Sequence, residues 1–207
     1  MQFKAPGLGI LDESATVLRT TMAANADRSI LFIAAHPFLE KSRANRAVVE
    51  AVGGLPGLTL RRLYHLYPQF HVDVAAEQEL LIRHSLIVVQ HPFYWYSMPP
   101  LLKMWLDETF ESGWAYGSGG DRLRGKEFLL SLTVGGPEES YMEDGYNRFT
   151  IDTFLAPWKQ TAHLCQMHWN QPRIVHSSIK CGDAVLVEHA RKLRGGLERY
   201  LSEGILP

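Results

Sequence analysis

Short apolar runs alternate with segments of helical period along most of this chain. Ile30-Leu31-Phe32-Ile33-Ala34-Ala35 is continuously apolar, the pattern of a strand buried on both faces of a parallel sheet. His36-Pro37 ends it. From Ser42 to Val52 the residues Ala44, Ala47, Val48 and Ala51 recur at helical spacing, and Gly53, Gly54, Pro56 and Gly57 stop that helix. Leu58–Tyr64 predicts a second strand, Glu77–His84 a helix and Leu86–Val89 a third strand. Pro99-Pro100 opens a helix to Glu111, because proline suits a first turn. Phe128–Val134 predicts a fourth strand, stopped by Gly135-Gly136-Pro137. Ile151–Cys165 is a helix interrupted near Pro157, Arg173–Ser177 a fifth strand, and Asp183 the cap of a last helix through Leu201.

Strand and helix thus alternate five times. That order predicts a doubly wound parallel sheet of five strands with helices on both faces. The 207 residues suffice for one such domain, taken as 29–207. Residues 1–28 lack a long apolar stretch and are expected to be a non-catalytic arm rather than a cleaved signal.

Composition narrows the class. Net charge is -1 and no long basic run occurs, which argues against nucleic acid. The two cysteines, Cys165 and Cys181, have no CxxC spacing, as expected of a reducing cytoplasm. No apolar run reaches the roughly 18 residues of a membrane span. His163, Cys165 and His168 do not align as helical metal ligands, and no metal is expected. The stretch from Gly120 to Glu127 imitates a phosphate loop, but it precedes its strand and lacks the final hydroxyl residue. Glu77, Gln78 and Glu79 predict a solvated helix start.

A doubly wound sheet binds its ligand beyond the carboxyl ends of its strands. Three loops there carry chemistry. After the first strand, His36 leads through Lys41 to Ser42, Arg43, Ala44 and Asn45 at a helix N-terminus. Free N–H groups and the helix dipole favour a phosphate at such a place. Ser42 reads equally as a phosphate donor or as a plain helix cap. After the third strand come Phe93, Tyr94, Trp95 and Tyr96, suited to a flat apolar ring or to a contact between subunits. After the fourth, Thr133, Val134, Gly135 and Gly136 let backbone approach a planar ligand closely.

Several motifs stand together in one order: His36-Pro, Ser42-x-x-Asn45, Leu66-Tyr-Pro-x-Phe70, Asp73 to Gln78, the long block from Gln90 to Gly117, and Gly135-Gly136. In these the chain resembles the flavodoxin-like NAD(P)H:quinone oxidoreductases. It is most similar to the ancillary oxidoreductases of glutathione-regulated potassium-efflux systems. The resemblance implies an α/β flavodoxin-like sheet of order 2-1-3-4-5. It implies that His36, Ser42, Arg43, Ala44 and Asn45 hold a flavin phosphate and ribityl chain. Phe93, Tyr94, Trp95 and Tyr96 would line the ring, and Thr133 to Gly136 would meet its pyrimidine edge. FMN is expected over FAD, with NAD(P)H as co-substrate. In the larger quinone reductases a tyrosine and a histidine beyond the Gly-Gly loop assist hydride acceptance. Tyr141 matches the tyrosine, whereas Gly145 to Arg148 holds no histidine. Tyr146 is the remaining candidate donor.

Two functions follow from that likeness. One is a ping-pong enzyme passing hydride through the flavin to a quinone-like acceptor. The other is a flavin-binding regulatory subunit docked on a potassium-efflux transporter. The apolar stripe Leu101, Leu102, Trp105 and Leu106 is expected either to support a homodimer or to cover the sheet.

Overall fold

The computed structural model describes residues 28–206; apart from Arg28, the expected arm lies outside them. One parallel sheet organises the chain. Its strands are β1 (Ile30–Ala34), β2 (Leu58–Arg62), β3 (Leu86–Pro92), β4 (Glu127–Thr133), β5 (His168–Trp169) and β6 (Arg173–Val175). They run in the order β2-β1-β3-β4-β5, with β6 also beside β4. This is the 2-1-3-4-5 order expected of the chain. The longer helices are α1 (Arg43–Val52), α2 (Val74–Arg83), α3 (Pro100–Thr109), α4 (Ala156–Leu164, after a single turn Ile151–Phe154) and α5 (Asp183–Glu203), and a short turn of helix, Leu63–Leu66, follows β2.

The continuous apolar runs have a direct cause. Successive strand residues point to opposite faces, and both faces are covered. Leu31, Ile33, Ile87, Val89, Phe128 and Leu130 pack against Leu81, Leu101, Trp105 and Trp158 of α2, α3 and α4. Ile30, Phe32, Leu86, Val88 and Leu129 pack against Val48 and Val52 of α1 and Leu193 and Leu197 of α5. Each large side chain so buried contributes roughly 1.5–3 kcal/mol.

The edge strand is broken by a bulge. Phe128 pairs with Trp169 and Ser131 with Arg173, so Asn170, Gln171 and Pro172 oppose only Leu129 and Leu130. Pro172 has no N–H to give the ladder. Asn170 N–H still reaches the Phe128 carbonyl at 2.9 Å, and its side-chain amide reaches Glu127 at 2.7 Å. The expected strand Arg173–Ser177 is therefore shorter, and His168–Trp169 precedes it.

Three local expectations change. Helix α2 starts at Val74, because Asp73 caps it by accepting the Ala76 N–H at 3.1 Å. Glu77 is completely buried rather than solvated. Gly182, not Asp183, stands at the N-cap of α5. Of the two readings of Leu101, Leu102, Trp105 and Leu106, the structure shows the covering of the sheet, all four being buried within their own chain. Lys126 of the phosphate-loop imitation donates to the carbonyls of Ile82 and His84, both at 2.8 Å, closing the end of α2.

Candidate functional site

Strands β1, β3, β4 and β6 all end on one edge, and a cavity of about 440 Å³ opens there. That lies within the usual range of small-molecule sites, about 300–1,000 Å³. His36, Ser42, Arg43, Ala44, Asn45, Phe93, Tyr94, Thr133 and Gly135 of the expected site residues line it. The topology has brought together three loops separated by some forty residues each in sequence.

One end of the cavity is built by α1. Ser42 Oγ accepts from the Asn45 N–H at 3.2 Å and from Asn45 Nδ2 at 3.0 Å. Asn45 Nδ2 also donates to Thr133 Oγ1 at 2.8 Å, and Asn45 Oδ1 accepts from Gln90 Nε2 at 2.8 Å. This chain of bonds ties the helix start to β3 and β4. Ser42 is thus a cap, and its hydroxyl hydrogen stays free to donate. Both readings of Ser42 are compatible in one geometry. The N–H groups of Arg43 and Ala44, in the first turn, have no carbonyl within the helix to bond. Gln90 Oε1 and Ser131 Oγ are buried without a protein partner.

Arg43 sits differently from expectation. Its guanidinium donates to Asp183 Oδ1 at 2.5 and 3.1 Å and to the Cys181 carbonyl at 3.1 Å. Asp183 answers its charge, and the pairing raises its pKa further. Positive potential at the helix start comes instead from the backbone N–H groups, the dipole and Lys41, which lies over the Phe38 ring at 5.6 Å. His36 Nδ1 accepts from the Phe38 N–H at 3.0 Å, which places its proton on Nε2, 3.4 Å from the Tyr94 hydroxyl. Burial lowers the His36 pKa and favours this neutral form.

The aromatic loop divides into two parts. Phe93 and Tyr94 line the cavity. Trp95 stands outside it, 92% exposed. Tyr96 stacks on Phe154 with centroids 4.8 Å apart, and its hydroxyl donates to Asn147 Oδ1 at 3.1 Å. Trp95 and Tyr96 hold φ of 48° and 63°, a left-handed turn closed by Ser97 N–H on the Tyr94 carbonyl at 2.9 Å. Such backbone costs about 1–2 kcal/mol per bulky residue. Strain of this kind concentrates at functional sites.

Beyond β4, Val134 is buried and locked to β6 by its N–H on Val175 and its carbonyl under Ser178 N–H, both at 2.9 Å. A Cβ on Gly136 would come 3.2 Å from the Tyr141 ring, so only glycine lets the loop and that ring meet without displacement. Burial raises the Tyr141 pKa, while a hydrogen bond with Asn147 works in the other direction. Tyr146 is 90% exposed and away from the cavity wall. Four contributors were not singled out in sequence. Ser178 and Ile179 enter from the loop after β6, which ends on the same edge. Asn147 bridges Tyr96 and Tyr141. His176 lies beside Tyr141, ring centroids 5.7 Å apart. The carboxyl-edge rule, applied to the last strand as well, points to that loop.

A phosphate end at a helix start, an aromatic wall and a glycine edge at the switch point fit a phosphorylated planar ligand. The family model for the flavodoxin-like fold matches residues 28–197. The chain belongs to the flavodoxin-like fold family. It is 46% identical over 165 residues to the glutathione-regulated potassium-efflux system ancillary protein KefF of Salmonella typhimurium, covering 80% of this chain and 93% of that one. The solved general stress protein 14 of Treponema denticola in complex with FMN is 36% identical, with a TM-score of 0.78, covering 82% of this chain and 98% of that one. An NADPH-quinone reductase of P. pentosaceus is 26% identical, with a TM-score of 0.71, over 79% of this chain and 96% of that one. These relatives support an oxidoreductase of the flavoprotein class. Among the described residues no helix is long and apolar enough to cross a membrane.

Proposed function

We propose that this protein is an FMN-dependent NAD(P)H oxidoreductase that passes hydride to a quinone-like acceptor by a ping-pong scheme. The observation that carries the reading is the single cavity joining the α1 N-terminus, the Phe93-Tyr94 wall and the Gly135 loop. FMN, when bound, supplies two-electron hydride chemistry. The chain supplies the rest. Ser42, the first N–H groups of α1, Asn45 and His36 hold the phosphate and ribityl end. Phe93 and Tyr94 would flank the ring, and the turn at Trp95 and Tyr96 would border it. The Gly135-Gly136 backbone would meet the pyrimidine edge and offer N–H groups to negative charge there. Tyr141, kept protonated by burial, stands as hydrogen-bond donor at that edge. Nicotinamide and acceptor use the open face in turn.

The test is direct. Purified protein is expected to be yellow, to release FMN rather than FAD by mass, to bleach with NADPH and to recover its colour with a quinone. Steady-state lines are expected to be parallel. Protein that stays colourless after exposure to both flavins overturns the reading, and intersecting lines remove the shared slot.

The 46% identity to a protein named as ancillary to potassium efflux favours a second role beside the first. In it the cytoplasmic protein docks peripherally on a potassium-efflux transporter as a regulatory subunit. Co-purification with that transporter, and potassium flux that changes with flavin-free protein, test it. A homodimer belongs to the same proposal and is checked by sedimentation. Residues 1–28 are proposed to be dispensable for FMN uptake, which truncation tests.

A further inference from the structure

Arg61 and Arg62 stand side by side at the end of β2 and have different fates. Successive strand residues face opposite ways. Arg61 turns to the α2 side, where its Nε donates to Glu77 Oε1 at 3.0 Å and its Nη2 to the Tyr67 hydroxyl at 3.1 Å. Its fork is occupied by the fold. Arg62 lies level with Ala34 at the end of β1, on the edge where the candidate site opens. Its ion pair with Glu40 is 3.9 Å long, between side chains 43% and 81% exposed. So long and exposed a pair is worth little. Among the described residues the Arg62 side chain donates no hydrogen bond. Its fork is available.

Arg62 lines a second cavity, of about 320 Å³, between the loops after β1 and β2. His36, Phe38 and Lys41 line both this cavity and the first, so the two are neighbours across one wall. Phe38 is 65% exposed on that wall, with Lys41 over its ring. Tyr64 and His65 form the other side. Tyr64 is fixed in place: its hydroxyl accepts the Leu101 N–H at 3.3 Å, and Phe70 meets its ring edge-on at 5.8 Å. Two cations, Lys41 and Arg62, share the cavity with one carboxylate, Glu40. Aromatic walls with a surplus of positive charge suit a flat base that carries phosphate.

The proposed reaction needs such a place. A nicotinamide stacked in the first cavity drags a pyrophosphate and an adenosine with it, and these must lie outside that cavity. NADPH differs from NADH by one phosphate on the adenosine ribose. A planar guanidinium matches a phosphate with two parallel bonds, which an ammonium does not.

We propose that the cavity between the β1 and β2 loops holds the adenosine end of the co-substrate, and that Arg62 binds its 2′-phosphate and selects NADPH over NADH. The inference rests on the reading of the first cavity as the flavin site. Lys41, on the shared wall, adds charge where the pyrophosphate crosses. Arg62 does not line the first cavity. It is a specificity-determining residue, and it acts on the choice of nicotinamide rather than on hydride transfer.

The experiment uses the full chain with FMN bound. Steady-state kcat/KM is measured with NADPH and with NADH in wild type, Arg62→Ala and Arg62→Lys. Binding of 2′,5′-ADP, 5′-AMP and inorganic phosphate is measured by calorimetry. Wild type is expected to prefer NADPH, and to bind 2′,5′-ADP more tightly than 5′-AMP, by at least about tenfold each. Arg62→Ala is expected to remove both preferences by raising the KM for NADPH, and Arg62→Lys to restore them in part. FMN fluorescence quenching reports that the variants fold. Equal use of the two nicotinamides by wild type, or an Arg62→Ala protein that keeps the preference, overturns the proposal. So does inorganic phosphate binding as tightly as 2′,5′-ADP, which marks a bare anion site. Protein that takes up no flavin, or whose flavin neither nicotinamide reduces, overturns the functional reading instead. The calorimetry of 2′,5′-ADP against 5′-AMP then still decides whether the second cavity reads the phosphate.

Discussion

Two buried polar clusters in this molecule look alike in sequence and behave oppositely in structure. At the α2 side, the Glu77 carboxylate is fully buried and fully answered. Arg61 and Tyr67 bond its Oε1, the latter at 2.6 Å, and Trp105 Nε1 bonds Oε2 at 3.0 Å. Burial and the nearby carboxylate push the Tyr67 phenol up to about 12, so it remains a donor. At the α1 side, Ser42, Asn45, Gln90 and Thr133 form a chain that stops short. Gln90 Oε1 and Ser131 Oγ have no partner, and Ser42 keeps a free hydroxyl hydrogen. The closed cluster welds β2, α2 and α3 together. In the open one Ser42, Asn45 and Thr133 line the cavity, and the Ser42 hydroxyl hydrogen is left for a ligand. Satisfaction, not polarity, separates a structural network from a binding one.

The sharpest way to break this contrast is Glu77→Ala. It strips the partner from a half-buried arginine and is expected to cost about 3–5 kcal/mol in urea unfolding. FMN affinity of the folded fraction is expected to stay unchanged. A matching loss of affinity would erase the distinction between the clusters.

Acid probes the strand that separates them. His91 of β3 is fully buried beside Trp158, and burial brings its pKa down to about 4. The unfolded chain titrates near 6.5 and binds the proton first. Stability from His91 is therefore complete above pH 6.5 and is lost as pH falls toward 4, by about 3 kcal/mol in all. Chemical denaturation across that window is expected to slope steeply in wild type and flatten in His91→Phe.

Asn45→Ala leaves Gln90 Nε2 and Thr133 without their partner and is expected to cost about 1–3 kcal/mol. FMN affinity, read by fluorescence quenching, is expected to fall at least about tenfold with it. The smallest effect belongs to Ser42→Ala, which removes a cap worth about 1 kcal/mol and the free donor together. Its mark is a larger loss in FMN binding than in stability, the reverse of Glu77→Ala.

The fold was largely legible because parallel strands buried on both faces must be continuously apolar, and Ile30–Ala34 and Leu86–Val89 show it plainly. The two-residue β5 was not legible, since His168–Trp169 is too short to carry a period and a bulge hides its register. The candidate site was legible as three loops because strand order places their ends on one edge. Glu77 misled, since acidic residues near a helix start usually face water, and it takes Arg61 arriving from β2, with Tyr67 and Trp105, to make its burial tolerable.

Local pattern by itself determined the alternation of strands and helices, the helix cap at Ser42 and the loops at the carboxyl edge, because these depend on neighbours a few residues apart. Which side chains meet across that edge was decided by tertiary packing alone. Arg43 turned to Asp183 and His176 came beside Tyr141, through contacts between residues 140 and 35 positions apart, whose pairing no local period encodes.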